Sequence, residues 1–207
     1  NTVNKGGGAC WDFAEMERIR ALCNEHELAL HLDGARVFNA IVARNESPRA
    51  YGQLFDTISI CLSKGLGAPA GSLLLGSREA MAQARRYRKM MGGGMRQAGY
   101  LAAAGLFALD HHVARLQEDH RRAQALGQEL HSLPYVANVL PVETNIVIFN
   151  LEQRLRADEF LRTLQSQGIK AGSMGGSTIR FVMHLDIGDD ALSALVDRLH
   201  RLKIPSV

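Results

Sequence analysis

Two short stretches carry side chains able to do chemistry together. "LSKGLGAP" sets Lys64 directly after the apolar, β-branched run "TISICL", with Ser63 before it and glycines behind; "LHLDGAR" sets Asp33 and Arg36 at the end of a second apolar run. In open α/β sheets, ligands collect just beyond the carboxyl ends of the strands, so an acid and a lysine delivered by two strands can converge on one small molecule. A buried acid keeps a pyridinium nitrogen protonated, and a lysine of lowered pKa forms a Schiff base with an aldehyde. These are the two protein groups that pyridoxal phosphate requires. Glycines beside the lysine let the backbone approach a ring and a phosphate closely.

Each residue also has a plain structural reading. Lys64 could be a surface lysine in a flexible turn, and Asp33 a cap for the next helix. Arg36 could pair with Asp33. His31, alternating with Leu30 and Leu32, reads as a core or supporting histidine on the opposite sheet face. His31 and Asp33 imitate an H-x-D metal pair, but no third ligand stands at a suitable spacing, so no metal is expected. In "GGGMRQAG", glycines and then Arg96 precede a helical pattern, which suits an anion through free N–H groups and the helix dipole. The same glycines could merely break a helix. Arg180 alternates with Ile179 and Phe181, so its head group leaves one sheet face with a fork of donors matched to a carboxylate, or to a surface ion pair.

The elements that must position these residues follow from period. Asp12 reads as the N-cap of a helix with Phe13, Met16, Ile19, Leu22 and Cys23 on one face. "LALHL" reads as a strand, "VFNAIVA" as a short helix, and "DTISICL" and "GSLLLG" as further strands. That alternation predicts a mostly parallel sheet covered on both faces. From Arg78 to about Ser132 the pattern is nearly all helical, broken at Gly92–Gly94 and around His111 and His112. After Pro134, "VANVL", "TNIVIF" and "TIRFVMHL" read as strands, with helices near Asp158–Gln167 and Asp189–Leu202. The fold class is therefore α/β with a smaller C-terminal α+β unit, and the expected domains are 1–112 and 113–207.

Composition bounds the rest. At 207 residues, 46% apolar and 22% charged, the chain is an ordinary globular one. A formal charge of +3 is too small to imply a polyanion, and the basic run "ARRYRK" reads as a solvated helix face; no nucleic-acid partner is expected. No run reaches membrane-spanning length, so no membrane partner is expected. Three cysteines without a CxxC favour a reducing compartment and a cytoplasmic location. The opening "NTVNKGGGACWD", without an initiator methionine and in the middle of a loop pattern, suggests an incomplete polypeptide.

"HLDGARVFNA", "CLSKGLGAPAGSLLLG", "RKMMGGGMRQAG", "LALDHHVARLQEDH", "TNIVIF" and "IRFVMHLDI" together resemble the low-specificity threonine aldolases, fold-type I pyridoxal phosphate enzymes. The resemblance runs from Asn1 nearly to Val207 in one order. It implies an incomplete fold-type I large domain followed by the small domain, and cleavage of threonine or allo-threonine to glycine and an aldehyde. It makes Lys64 the Schiff-base lysine and Asp33 the partner of the pyridine nitrogen. Arg36 and Arg180 become carboxylate ligands, with Arg36 and Ser63 also beside the cofactor, and Arg96 reaches a cofactor phosphate across a subunit interface. A homodimer or homotetramer is implied.

By the same resemblance, the family's phosphate-cupping glycine and threonine, and the histidine stacked on the ring, belong to an N-terminal segment outside this sequence; either the protein is cut and the other piece is supplied separately, or this is an ordered fragment. Val3 stands where the family often has histidine, and Met183 where threonine is common. Transamination or β-elimination on a small amino acid, or a non-catalytic assembly fragment, are the competing readings. His184 is a weak candidate for the hydroxyl base.

Overall fold

The Asp12 carboxylate accepts the Glu15 N–H at 3.1 Å and starts α1 (Phe13–Glu25), as its place before an amphipathic run suggests. The computed structural model describes residues 2–202. The chain forms two compact units: Cys10–Leu116, with Thr2, makes the first, and Val3–Ala9 joins the residues from Gln117 onward in the second. The terminal positions of the expected domains, Asn1 and 203–207, lie outside the described residues. Two-residue strands β1 (Thr2–Val3) and β2 (Ala9–Cys10) pair with each other.

In the first unit β3 (His31–Gly34) runs parallel to β4 (Thr57–Cys61), with Asp33 opposite Ser59. A parallel pair needs a long crossover, and α2 (Val37–Arg44) and α3 (Pro48–Leu54) supply it. Met16, Val37, Ile41, Tyr51, Leu54, Ile58 and Ile60 form the core beneath. β3 begins at His31 and not at Leu28: the Leu28 N–H closes the end of α1 on the Cys23 carbonyl, and the Leu30 N–H donates to the Asp56 carboxylate at 2.7 Å. Arg20 also binds Asp56 and, with that N–H, holds its carboxyl below the usual range.

β5 (Ser72–Gly76) pairs antiparallel with β4. The fold class stands, but these three strands are half parallel and half antiparallel, because the loop from Leu62 to Gly71 contains no helix to carry the chain back. β5, α4 (Arg78–Met90) and the turn that follows bury almost nothing: Leu73, Leu74, Leu75, Met90, Met91 and Met95 are all exposed. α5 (Gly99–His111) buries only Gly105 and Ala108.

The tightest point of this sheet is Gly34. A Cβ there would stand 2.6 Å from the Ser59 carbonyl oxygen, a backbone atom fixed in the β3–β4 pairing. Gly34→Ala is expected to destabilise the protein by about 1–3 kcal/mol, the usual cost of overpacking, seen as a lower denaturant midpoint. An unchanged midpoint would mean that the pairing relaxes freely.

In the second unit β6 (Val136–Val139), β7 (Ile146–Leu151), β8 (Gly172–Gly175) and β9 (Thr178–Val182) form an antiparallel sheet of order β6-β7-β9-β8. The helices are α6 (Leu116–His131), α7 (Ala157–Ser166) and α8 (Asp189–Arg201). Leu126, Leu130, Phe149, Leu164, Ile179 and Leu199 lie in its core, and the Tyr135 hydroxyl donates to the Leu199 carbonyl at 2.9 Å. Asp189, at the start of α8, accepts from Arg122 at 2.8 Å.

Burial lowers the pKa of His120 on α6 from its ordinary 6.5, with Asp119 opposing more weakly. Near that pH the unfolded chain therefore binds the proton more readily than the folded one. Stability should fall as pH drops through about 6.5, and His120→Gln should flatten that part of a melting-temperature profile. An unaltered slope would place the pH dependence elsewhere.

Candidate active site

The β4–β5 loop fixes the backbone that bears Lys64. The Leu62 N–H donates to the Gly71 carbonyl and the Ala68 N–H to the Leu62 carbonyl, each at 3.0 Å, and the Gly67 N–H donates to the Lys64 carbonyl at 2.8 Å. Gly67 and Gly71 adopt φ of +71° and +111°, where a side chain would be strained. Leu62 and Leu66 are buried beside Ala108 and Leu116, while Ser63 and Lys64 between them are exposed.

Two further contacts hold the loop. His112 Nδ1 donates to the Leu66 carbonyl at 2.6 Å, and that acceptor requires the proton on Nδ1. A Cβ at Gly65 would come to 3.0 Å of Leu116 Cδ2 and 3.2 Å of the Asn39 side-chain oxygen. The loop is thus pinned on both sides of the lysine and is not a slack surface turn. Lys64 makes no hydrogen bond or ion pair through its side chain among the described residues.

Asp33 is exposed at the end of β3, and its Oδ1 accepts the Ala35 N–H at 3.2 Å, which turns the chain toward α2. It receives no N–H from the first turn of α2, so capping that helix is not its role. Arg36 is the half-buried residue preceding α2. The ends of β3 and β4 share a concavity lined by Gly34, Ala35, Arg36, Asn39, Cys61 and Gly65. Asp33 and Lys64 are the chain neighbours of Gly34 and Gly65 in that lining. His31 is exposed on the same strand face as Asp33, not in the core, and its Nδ1 lies 2.8 Å from Thr57 Oγ1. Among the described residues no group of three or more His, Cys, Asp or Glu could hold a metal ion.

Arg96 is exposed in the turn between Gly94 and α5 and lines no part of the concavity. Arg180 belongs to the second unit. Ile179 and Phe181 are buried on either side of it, so its side chain takes the other face of β9, as the alternation suggests. Its Nη1 donates to Asn4 Oδ1 at 3.1 Å, and its Nε is buried without a partner among the described residues. His184 lies in the turn after β9, half-buried, with Nδ1 3.4 Å from Asp186 Oδ2. Sequence reasoning passes over two residues here: Asn4, whose partner is far along the chain, and Asn39, a buried polar side chain within the apolar run "VFNAIVA" that packs on Gly65.

Known proteins share both sequence and fold with this chain. The low-specificity L-threonine aldolase of Escherichia coli O157:H7 is 43% identical over 171 residues, covering 82% of this chain and 49% of that protein. Low-specificity L-threonine aldolase 1 of Arabidopsis thaliana is 38% identical over 190 residues, covering 90% and 53%. The chain spans about half the length of these curated relatives. The solved structure of Leishmania major threonine aldolase superposes with a TM-score of 0.76 at 22% identity, over 95% of this chain and 58% of that one. At that identity the likeness shows the fold, that of the fold-type I enzymes. The sequence model of the beta-eliminating lyases matches residues 1–154, a span that holds both strand ends, the pinned lysine loop and the glycine turn before α5. The chain belongs to the beta-eliminating lyase family.

Proposed function

We propose that the full-length protein carrying this chain is a pyridoxal phosphate-dependent aldehyde-lyase that cleaves threonine or allo-threonine to glycine and acetaldehyde. The observation that carries this reading is the parallel pairing of β3 with β4, which brings Asp33, in the carboxyl-terminal half of β3, and Lys64, three residues past β4, next in the chain to Gly34 and Gly65 in the lining of one concavity. The names of the relatives at 38–43% identity favour threonine as the substrate.

The residues present fit the cofactor. Among the described residues Lys64 is an unpaired amine on a fixed backbone, and Asp33 keeps Oδ2 without a partner. When bound, the cofactor supplies an electrophilic aldehyde and an electron sink for the bond broken at the substrate's α-carbon. Lys64 would hold the aldehyde carbon, and Asp33 would keep a proton on the ring nitrogen. Arg36 and Ser63 would lie along the cofactor's polar edge. Arg96, three residues before α5, would reach the phosphate bound by a neighbouring subunit. Arg180 and Arg36 would grip the substrate carboxylate and so orient its Cα–Cβ bond for cleavage.

Residues up to about 112 would form the cofactor-binding part and 113–207 the small domain. The exposed apolar side chains of β5, α4 and α5 support a homodimer or homotetramer, with the missing part of the large domain supplied in the same polypeptide or as a separate piece. Cys10, Cys23 and Cys61, none of them in a disulfide, support a reducing, cytoplasmic setting.

The matched family description favours one second reading, β-elimination. Threonine supplied to the full-length holoenzyme separates the two. Glycine with acetaldehyde is the expected result; ammonia with a keto acid would replace the aldolase reading by elimination.

A further inference from the structure

The bond from His112 to the lysine loop falls on a single peptide group. His112 is the half-buried C-cap of α5, and its own N–H, donating to the Ala108 carbonyl at 2.8 Å, fixes its backbone. Its ring meets that of Phe107 edge-to-face, with 5.4 Å between centroids. Apolar packing seats this end of the helix on the loop: Ala108, Leu62 and Leu66 are buried in one cluster, and a Cβ at Gly105 would come to 2.9 Å of Leu62 Cδ1.

The peptide joining Leu66 to Gly67 is gripped on both sides. Its carbonyl accepts from His112 Nδ1 at 2.6 Å, and its N–H donates to the Lys64 carbonyl at 2.8 Å, closing a turn over Gly65 and Leu66. Hydrogen bonds in series polarise one another, so a donor on this carbonyl makes the N–H a better donor to Lys64. Rotating the peptide plane would break both bonds together. Gly67, at φ of +71°, has no side chain to resist that rotation, so the restraint comes from outside the loop.

Neutral imidazole with its proton on Nδ1 and the doubly protonated ring both supply the donor, so the contact does not depend on the charge of His112. His112 lines no part of the concavity.

We propose that His112 is a positioning residue for Lys64: by holding the Leu66–Gly67 peptide it sets the backbone from which the lysine amine reaches the cofactor aldehyde. A supporting hydrogen bond of this kind decides whether a reactive group is held to a fraction of an ångström or left loose. The inference rests on the reading of Lys64 as the cofactor-binding lysine.

Full-length holoenzyme carrying His112→Asn or His112→Leu tests it. Asparagine has an N–H donor at the same distance along the side chain as Nδ1, and leucine has nearly the shape of asparagine without the donor. His112→Leu should lower kcat about three- to tenfold, the scale of one lost hydrogen bond, with the threonine KM within about twofold. The visible circular dichroism of the bound cofactor, per mole bound, should fall, because it reports how the ring is set in the protein. Backbone amide exchange across 62–68 should quicken severalfold. His112→Asn should return all three to within about twofold of the wild type. Should His112→Leu give no folded holoenzyme, His112→Ala, which overpacks nothing, carries the same expectation. A lower thermal midpoint with kcat and dichroism per bound cofactor unchanged would make His112 a helix cap and overturn the proposal, and so would a His112→Asn protein that behaves as the donorless variants do. Wild-type holoenzyme in which borohydride reduction and peptide mapping find the cofactor elsewhere than on Lys64 would instead overturn the proposed function, and the role of His112 with it.

Discussion

Lys64→Ala is expected to lower threonine cleavage by the full-length holoenzyme at least about a thousandfold, the scale on which removal of a covalent catalyst is felt, while the protein stays folded. The argument is structural. The anchors of the loop are backbone hydrogen bonds, buried Leu62 and Leu66 and the His112–Leu66 contact, none of which uses the lysine side chain. Its removal should therefore change stability by no more than about 0.5 kcal/mol, as for an ordinary surface substitution. Turnover and the thermal midpoint, measured on one preparation, check both halves. A variant that keeps its activity would remove Lys64 from the chemistry.

Asp33→Asn should be nearly as damaging, and more selective. Asparagine keeps the oxygen that accepts the Ala35 N–H, so the turn after β3 survives. It loses the charge that would keep the cofactor ring nitrogen protonated. We expect kcat to fall by about a hundredfold or more, in line with about 3 kcal/mol of lost electrostatic stabilisation, with the half-saturating cofactor concentration changed only a few-fold. An unchanged kcat would leave Asp33 with a turn to hold and no part in the reaction.

The placement of Asp33 and Lys64 at strand ends was legible because each follows an apolar run and precedes a glycine, and that local pattern survives folding. Asp12 was legible for the same reason, since capping depends only on near neighbours in the chain. The same run of residues did not disclose where β3 starts. Leu28 and Leu30 fit a strand by composition, but Cys23 and Asp56 had already claimed their N–H groups. β8 escaped notice because "GSMG" carries no apolar alternation; it pairs through backbone alone. The antiparallel direction of β5 depended on the missing helix in the loop before it, which an alternating pattern does not weigh. His31 was misjudged because its two leucine neighbours suggest burial, while Thr57 on the next strand gives its ring a polar partner at the surface. Asn4 was invisible because nothing within its own neighbourhood uses its side chain.

The separation of Asn4 from Arg180 also bears on how the protein assembles itself. The two residues are 176 positions apart, and the Thr144–Gly8 bond joins positions 136 apart, yet the second unit contains both ends of each. Closing so long a loop adds only a few kcal/mol of chain entropy, because the cost grows with the logarithm of length. Contacts between residues so distant in sequence nevertheless form late and slow the search for the native state. During synthesis Val3–Ala9 must wait until β7 and then β9 have emerged before it can dock. The arginine proposed to read the substrate would therefore gain its orientation among the last events of folding, making the correct setting of Arg180 a report that both ends of the chain have come home.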